Sequence, residues 1–211
     1  MKYLSLFIVF LLVSCGNKED ILLPKSNKTV VSDVVDHSPI YMFFRANGKD
    51  TLTEVNRKNS IITTNWILNI DKRLPLRIVI PEVMKLQDKK RKEKAHKNEK
   101  AENYYAYADS IGKNMAFIPF TKVHYKMEKP FSENPVVYFY KDKIKVNDVV
   151  VAKAELQQYL NNIFSENDIP MFLCFDKNSS YESYIQNKIF IQSLIFTKKG
   201  MQFDENQEFV F

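Results

Sequence analysis

Residues 171–182, Met-Phe-Leu-Cys-Phe-Asp-Lys-Asn-Ser-Ser-Tyr-Glu, decide the fold class of this chain. The first five are apolar on both faces, which is typical of a central strand that is covered from both sides. Asp176 to Ser180 has the composition of a turn. Ser179 and Glu182 have the spacing of a capping box, which predicts a helix through about Leu194. A buried strand followed directly by a helix indicates a sheet with helices packed against it.

The neighbouring segments of the C-terminal half extend this pattern. Strands are predicted at Val136–Tyr140 and Ile144–Val146, followed by an amphipathic helix from about Ala152 to Phe164. Asn167–Pro170 ends that helix, and Glu208–Phe211 forms a closing strand. The predicted order is strand, strand, helix, strand, helix, strand.

The N-terminal half has a similar mixture of elements. Thr51–Asn56 reads as a strand, and Ser60–Ile70 alternates with the period of a half-buried strand. A helix is predicted to begin near Pro81, because proline suits the first helical turn. Tyr104, Tyr105, Ala108 and Ile111 are interpreted as a later apolar helical face, and Met115–Tyr125 as a further strand.

These elements predict an α+β fold with small mixed sheets, helices packed on one face, and two subdomains. The proline-containing stretch Lys129–Pro135 is the predicted boundary. The predicted divisions are a signal peptide (1–14), a lipidated cysteine with a tether (15–30), an N-terminal α+β region with a charged helix (31–129) and a C-terminal α+β domain (130–211).

The first residues predict export. Met1-Lys2 is a short basic start, and the apolar run Tyr3–Val13 reaches about half of a hydrocarbon core of ~30 Å, as a signal peptide does. The run ends in Leu12-Val-Ser-Cys15, which resembles the lipobox of bacterial lipoproteins. The resemblance implies diacylglycerol on the Cys15 sulfur, cleavage after Ser14 and acylation of the new amino terminus. Several acyl chains make such an anchor stable.

The residues after Cys15 bear on the destination. Lys18-Glu19-Asp20 resembles the export signal of some surface-displayed lipoproteins, although a solvated start of the tether explains it equally well. No Asp follows Cys15 directly, so the inner-membrane retention signal of some bacteria is absent. We expect a lipid-anchored protein of the cell envelope, in the outer membrane, facing the periplasm or the surface.

The C-terminal part resembles the periplasmic domain of the ExbD/TolR biopolymer-transport family. The matching features are Lys143–Asp148, Glu155-Leu156 in a helix, and Phe172–Lys177 ahead of a second helix. The resemblance implies a small α+β domain that pairs or binds envelope partners. The acidic membrane span through which that family couples protons is missing, because the apolar run Tyr3–Val13 contains no acid.

The net charge of +6 suits anionic surfaces, but a secreted chain rarely meets nucleic acid, and we expect no nucleic-acid partner. Eight basic residues against four acids make Lys85–Glu102 strongly charged. This run could contact anionic lipid head groups or glycans, and a solvated helix face is the simpler interpretation. An exposed set such as Tyr104, Tyr105 and Tyr107 could form a binding surface.

The chemistry-bearing residues predict no catalytic, cofactor or metal site. His37, His96 and His124 share no metal-ligand spacing. Cys174 lies inside the predicted buried strand, and Ser110 lacks the Gly-x-Ser-x-Gly motif. Asp71 and Asp176 lie at the ends of predicted strands, and a structural role in the following turn is the favoured interpretation over a role in function.

The sequence therefore favours a non-enzymatic interaction or structural component, with an accessory subunit of an envelope transport or energy-transduction complex as the alternative. An enzyme is the least favoured hypothesis. The oligomeric state is left open.

Overall fold

The computed structural model describes residues 20–48, 50–94, 98–131, 134–163, 170–196 and 202–211. The described chain has the α+β fold that the sequence predicts, with two mixed sheets. Sheet I has the order β3-β2-β4-β5-β6, and β1 pairs with the end of β5 beside β4. Its elements are β1 (Lys25–Ser26), β2 (His37–Asn47), β3 (Asp50–Asn56), β4 (Asn65–Ile70), α1 (Leu76–Lys92), β5 (Asn103–Asp109) and β6 (Asn114–Pro119).

Sheet II has the order β10-β9-β8-β11-β12-β7. Strands β8, β11, β12 and β7 run parallel, and β9 and β10 continue from β8 as an antiparallel meander. Its elements are β7 (His124–Lys126), β8 (Val136–Phe139), β9 (Ile144–Val146), β10 (Val149–Val151), a 3₁₀ turn (Lys153–Glu155), α2 (Leu156–Ile163), β11 (Met171–Phe175), α3 (Tyr181–Ile191) and β12 (Phe203–Val210).

Both sheets contribute to one continuous core, in which α1 and α3 are embedded. Helix α1 contacts β3 of sheet I, β7 and β12 of sheet II, and α3. The other face of sheet I carries a small apolar cluster that includes Ile67 and Phe117, and the other face of sheet II carries one around Cys174. The helices therefore lie on one face of each sheet, where the burial of apolar surface is the main stabilising term.

The two halves of the chain share one topology. Each contains an antiparallel pair (β2-β3 or β8-β9), then a parallel strand beside its first member (β4 or β11), a helix (α1 or α3) and a further parallel strand (β5 or β12). In the second half, β10, the 3₁₀ turn and α2 are inserted before β11. Both central strands end in an Asp whose carboxylate accepts from the backbone N–H two residues on. Asp71 and Asp176 are thus equivalent, as are all residues of β4–α1 and β11–α3 that stand 105 positions apart.

The equivalent segments meet around a local two-fold axis at the start of the two helices. Pro75 and Ser180, which are equivalent, form a β-bridge. The hydrogen bonds beside it come in reciprocal pairs, as expected only when equivalent backbones face each other. The pairs are Leu76 N to Ser179 O (3.0 Å) with Tyr181 N to Leu74 O (2.8 Å), and Arg77 N to Lys177 O (2.7 Å) with Glu182 N to Lys72 O (3.1 Å).

The predicted division into domains needs correction. Strand β7 (His124–Lys126) pairs with β12, so the chain passes from sheet I to sheet II after Pro119 and not at Lys129–Pro135. Because β6 and β7 belong to different sheets, the single strand predicted for Met115–Tyr125 is wrong. The two sheets share a core, so the halves are not independent layers.

The predicted tether is too long. The Leu22 amide donates to Asp71, and the Lys72 amide donates to the Leu22 carbonyl at 2.8 Å. β1 pairs with β5, and Val34 is buried against sheet I. The body of the protein therefore begins at Leu22, and residues 22–30 do not act as a spacer.

Two predicted helical assignments are also wrong. Helix α1 begins five residues before Pro81, which lies inside it. Tyr104, Tyr105 and Ala108 belong to strand β5, because the alternation of Tyr105 and Tyr107 with Ala106 suits a pleated sheet and aromatic residues favour strands.

Candidate functional site

A cavity of about 570 Å³ opens between the C-terminal end of α3, the start of β12 and the loop between β6 and β7. We call it the distal cavity. Volumes of this size are typical of small-molecule sites. Its lining combines apolar and polar side chains. They are Phe120, Leu173, Ile191, Leu194, Phe196 and Phe203 on the apolar side, and Glu102, Thr121, Lys122, Lys188, Gln192, Gln202, Asp204 and Glu205 on the polar side, with Pro119 and Val123.

The distal cavity lies near the C-terminal end of α3, whereas Leu22 is docked near the start of that helix. Leu22 contacts the turn between β4 and α1, and Gln186 of α3 donates to the Lys25 carbonyl, beyond which α3 continues toward the cavity. The eleven residues of α3 span roughly 16 Å at about 1.5 Å each. Most of the helix thus separates Leu22 from the cavity, and Lys25 lies beside the middle of the helix.

One lining residue of the cavity, Lys188, belongs to a largely buried ion pair. Lys188 of α3 lines the cavity, and its ammonium donates to the carboxylate of Glu208 on β12. The side chains of Lys188 and Glu208 are 13% and 2% exposed, so water screens the pair little. The pair fixes a donor beside the apolar part of the lining.

A chain of tyrosine hydroxyls continues from this ion pair into the core. The Tyr184 hydroxyl donates to Glu208 at 2.7 Å and lies 3.2 Å from the Tyr125 hydroxyl, which is 2.7 Å from that of Tyr105. Burial, with the nearby Glu208 charge, holds the pKa of Tyr125 and Tyr184 well above the ordinary value, so both stay neutral donors. The chain connects β5 of sheet I with β7, α3 and β12, and its polar groups satisfy one another.

The chain was compared with protein-family models, curated proteins and solved structures. None of them matches it. The predicted resemblance to the ExbD/TolR family thus stays a prediction. The predicted order of elements in the C-terminal half is present, with β10 as an additional strand.

Several predicted features lie outside the described residues, namely the signal peptide, Cys15, Lys18-Glu19, His96 and Asn167–Ile169. The described histidines have structural contacts. The His37 ring contacts the Val34 carbonyl at 2.7 Å, and the His124 ring contacts Arg91 at 3.2 Å. Within the described ranges, no group of three or more His, Cys, Asp or Glu is placed to hold a metal ion.

The strand-end aspartates are turn residues, as the sequence favours. Burial opposes ionisation of Asp71, but the Arg73 guanidinium and the backbone amides of Arg73 and Leu22 hold the pKa of Asp71 below its ordinary value. Asp176 accepts from the Asn178 amide at 2.8 Å. Neither carboxylate faces the distal cavity.

Cys174 is confirmed as a buried strand residue. It is 2% exposed, and burial raises the pKa of its thiol to about 12. A neutral, buried thiol is a poor nucleophile. The tyrosine cluster is only partly exposed, because Tyr105 and Tyr107 are fully buried.

Two residues of the basic run, Lys90 and Arg91, attach the C-terminal part of α1 to the neighbouring segments by hydrogen bonds. Lys90 is 7% exposed, and its ammonium donates to two backbone carbonyls and to Asn103 while lying 4.8 Å from the Trp66 ring centre. Arg91 donates to the carbonyls of Thr121 and Val123. Basic groups in a last turn also suit the helix dipole. No described helix is long and apolar enough to cross a bilayer.

Sequence reasoning missed the distal cavity because its walls come from segments distant in the chain. Lys188 and Glu208 are 20 positions apart. One signal was available: Glu208 opens a predicted strand that is otherwise apolar, Phe209-Val210-Phe211. A carboxylate in a buried strand needs a partner.

Proposed function

We propose that the protein is a lipid-anchored binding protein of the cell envelope, held at the outer membrane by acyl chains on Cys15. The observation that carries the proposal is the attachment of Leu22 to the body. Only six residues separate Cys15 from Leu22, and the seven Cα–Cα steps between them reach at most about 25 Å when fully extended. The body is therefore held against the membrane by the end at which Leu22 lies.

This anchorage leaves the end of the body that carries the distal cavity free to bind other molecules. The distal cavity then points away from the bilayer, toward soluble components of the envelope. Among the described residues, four that could otherwise supply chemistry have structural roles: Asp71 and Asp176 in turns, Lys90 in hydrogen bonds and Cys174 in the core. These observations favour binding over catalysis.

The proposal is tested by comparing the native protein with the Cys15→Ala variant. Cells are grown with a radiolabelled fatty acid, and their membranes are separated. We expect label in the wild-type protein, which should fractionate with the outer membrane, and no label in Cys15→Ala. Cys174→Ala is the matched control and should keep both label and location. An unlabelled wild-type protein, or label that persists in Cys15→Ala, contradicts the anchor.

A role as an accessory subunit of an envelope transport complex is the second candidate. It is favoured by the order of elements in residues 136–210, which is the order that the ExbD/TolR resemblance implies. Chemical cross-linking in intact cells followed by purification should recover subunits of a membrane transport complex. Recovery of the wild-type protein without any such subunit counts against this role.

A further inference from the structure

The two halves of the fold provide an internal comparison for the Lys188–Glu208 ion pair. Lys188 of α3 is equivalent to Val83 of α1, which stands 105 positions earlier. Glu208 is equivalent to Tyr105, because each pairs with the equivalent leucine of the neighbouring strand, Leu173 or Leu68. Val83 and Tyr105 are both fully buried in the core. The topology therefore forms without an ion pair at these positions.

A buried ion pair is a poor way to stabilise a core. Desolvation offsets most of the attraction between its charges, and apolar side chains of similar size often serve stability as well or better. Its presence in one half only, at the wall of the distal cavity, indicates a role in binding.

The ammonium of Lys188 has donors to spare. A lysine ammonium has three N–H groups. Within the described part of the chain, the hydrogen-bond acceptor of Lys188 is Glu208. Since Lys188 also lines the cavity, an oxygen atom inside the cavity can accept one of the remaining N–H groups.

The charges of the described residues around the distal cavity disfavour an anion. Among those residues, three carboxylates line the cavity (Glu102, Asp204 and Glu205), whereas Lys122 is the second cation and Glu208 neutralises Lys188. A cationic ammonium group has no acceptor for the N–H groups of Lys188. A neutral group with an accepting oxygen avoids the repulsion from the carboxylates and can accept from Lys188, and the apolar part of the lining suits a hydrocarbon chain.

We propose that the distal cavity binds a neutral amphiphile, in which a hydrocarbon chain packs on the apolar lining and an amide or ester carbonyl accepts a hydrogen bond from Lys188. This inference deepens the proposed function and rests on it for the location of the ligand in the envelope. The binding itself can be measured on the unlipidated chain from Gly16 onward, which contains every described residue.

The experiment uses the fluorescence of N-phenyl-1-naphthylamine, a neutral apolar dye without a carbonyl group, and its displacement by decanamide, decanoate and decylammonium. We expect saturable binding of the dye, and displacement by decanamide at concentrations about tenfold lower than those of the two charged ligands, the size of effect that a hydrogen bond to a charged donor produces. Dye that fails to bind, or decanoate or decylammonium that displaces it best, overturns the inference.

Two variants locate the site. Lys188→Met/Glu208→Gln removes the donor while keeping the acceptor for Tyr184, and should bind the dye as the wild type does but lose the preference for decanamide. Leu194→Trp fills the cavity and should lose dye binding, whereas Ile163→Trp, an exposed position on α2, should keep it. Unchanged decanamide displacement in the double variant, or unchanged dye binding in Leu194→Trp, contradicts the assignment. None of these results depends on lipid at Cys15, so failure here is distinguishable from failure of the anchor.

Discussion

Replacing Lys188 by Met tests the energetics of the ion pair at the cavity wall. Met keeps much of the aliphatic volume of the lysine stem, so packing changes little. Of the described side chains that donate to Glu208, which is 2% exposed, the Tyr184 hydroxyl would remain. Leaving one charge of a buried pair unpaired costs about 3–5 kcal/mol.

The double variant separates the unpaired charge from the lost contact. In Lys188→Met/Glu208→Gln the side chain at position 208 is neutral and can still accept from Tyr184. Its loss of stability should be about 1 kcal/mol, the net value of an ordinary hydrogen bond.

Urea unfolding at neutral pH, followed by the fluorescence of Trp66, gives the three free energies of unfolding. The slopes with urea should agree between variants. Equal losses of unfolding free energy in the single and double variants would refute the reasoning. They would mean that the unpaired charge of Glu208 does not cause the loss in the single variant.

Three further predictions concern the rest of the body. Lys90→Met should lower the free energy of unfolding by about 3 kcal/mol near neutral pH, because three acceptors lose their donor. Burial lowers the pKa of Lys90 from its ordinary value of 10.5 to about 8. Between these two pH values the unfolded chain binds more protons than the folded protein, so the free energy of unfolding of the wild type should rise with pH. Unfolding measured across this range should show no such rise from this group in Lys90→Met. Ser180→Ala should cost about 1 kcal/mol in urea unfolding, because Ser180 caps α3 by accepting from the Ser183 amide, whereas its neighbour Ser179→Ala, whose buried hydroxyl has no partner among the described residues, should cost clearly less. Cys174 in the unlipidated chain should react with a thiol reagent only at the rate of unfolding, and rapid labelling in native buffer would show that β11 is not covered as described.

The C-terminal elements could be predicted because their signals are local. Met171–Phe175 is apolar on both faces, and it is a central strand between β8 and β12. The turn at Asp176 also follows from local chemistry, although the helix cap is Ser180 rather than Ser179.

The elements that prediction missed depend on tertiary context. No element was predicted for β2, where Ile40, Met42 and their neighbours are apolar on successive positions and no periodicity separates strand from helix. Strand β5 was interpreted as a helix because Tyr104, Tyr105 and Ala108 also fit helical spacing. Neighbouring strands on both sides select the extended form.

The relation between the halves is invisible at the level of sequence. The equivalent positions Val79 and Tyr184 are both buried but differ in chemistry, and Val83 and Lys188 differ in chemistry and in exposure. What the halves have in common is the order and direction of strands, together with an Asp at the end of the central strand. Backbone hydrogen bonds around the local axis, which involve no side chains, disclose that relation.

The central claim is that the lipid anchor turns the distal cavity away from the membrane. It is tested most directly by energy transfer from a dye on the lipidated protein in vesicles to an acceptor on the lipid head groups. The dye is attached to Lys25→Cys, at the anchored end, or to Gln192→Cys, beside the cavity, and the buried Cys174 stays unlabelled. Lys25 lies beside Gln186, six positions before Gln192, so about 9 Å of helix α3 separates the two labelled positions, and transfer should be stronger from position 25. Equal transfer from both positions, or stronger transfer from position 192, would contradict the account.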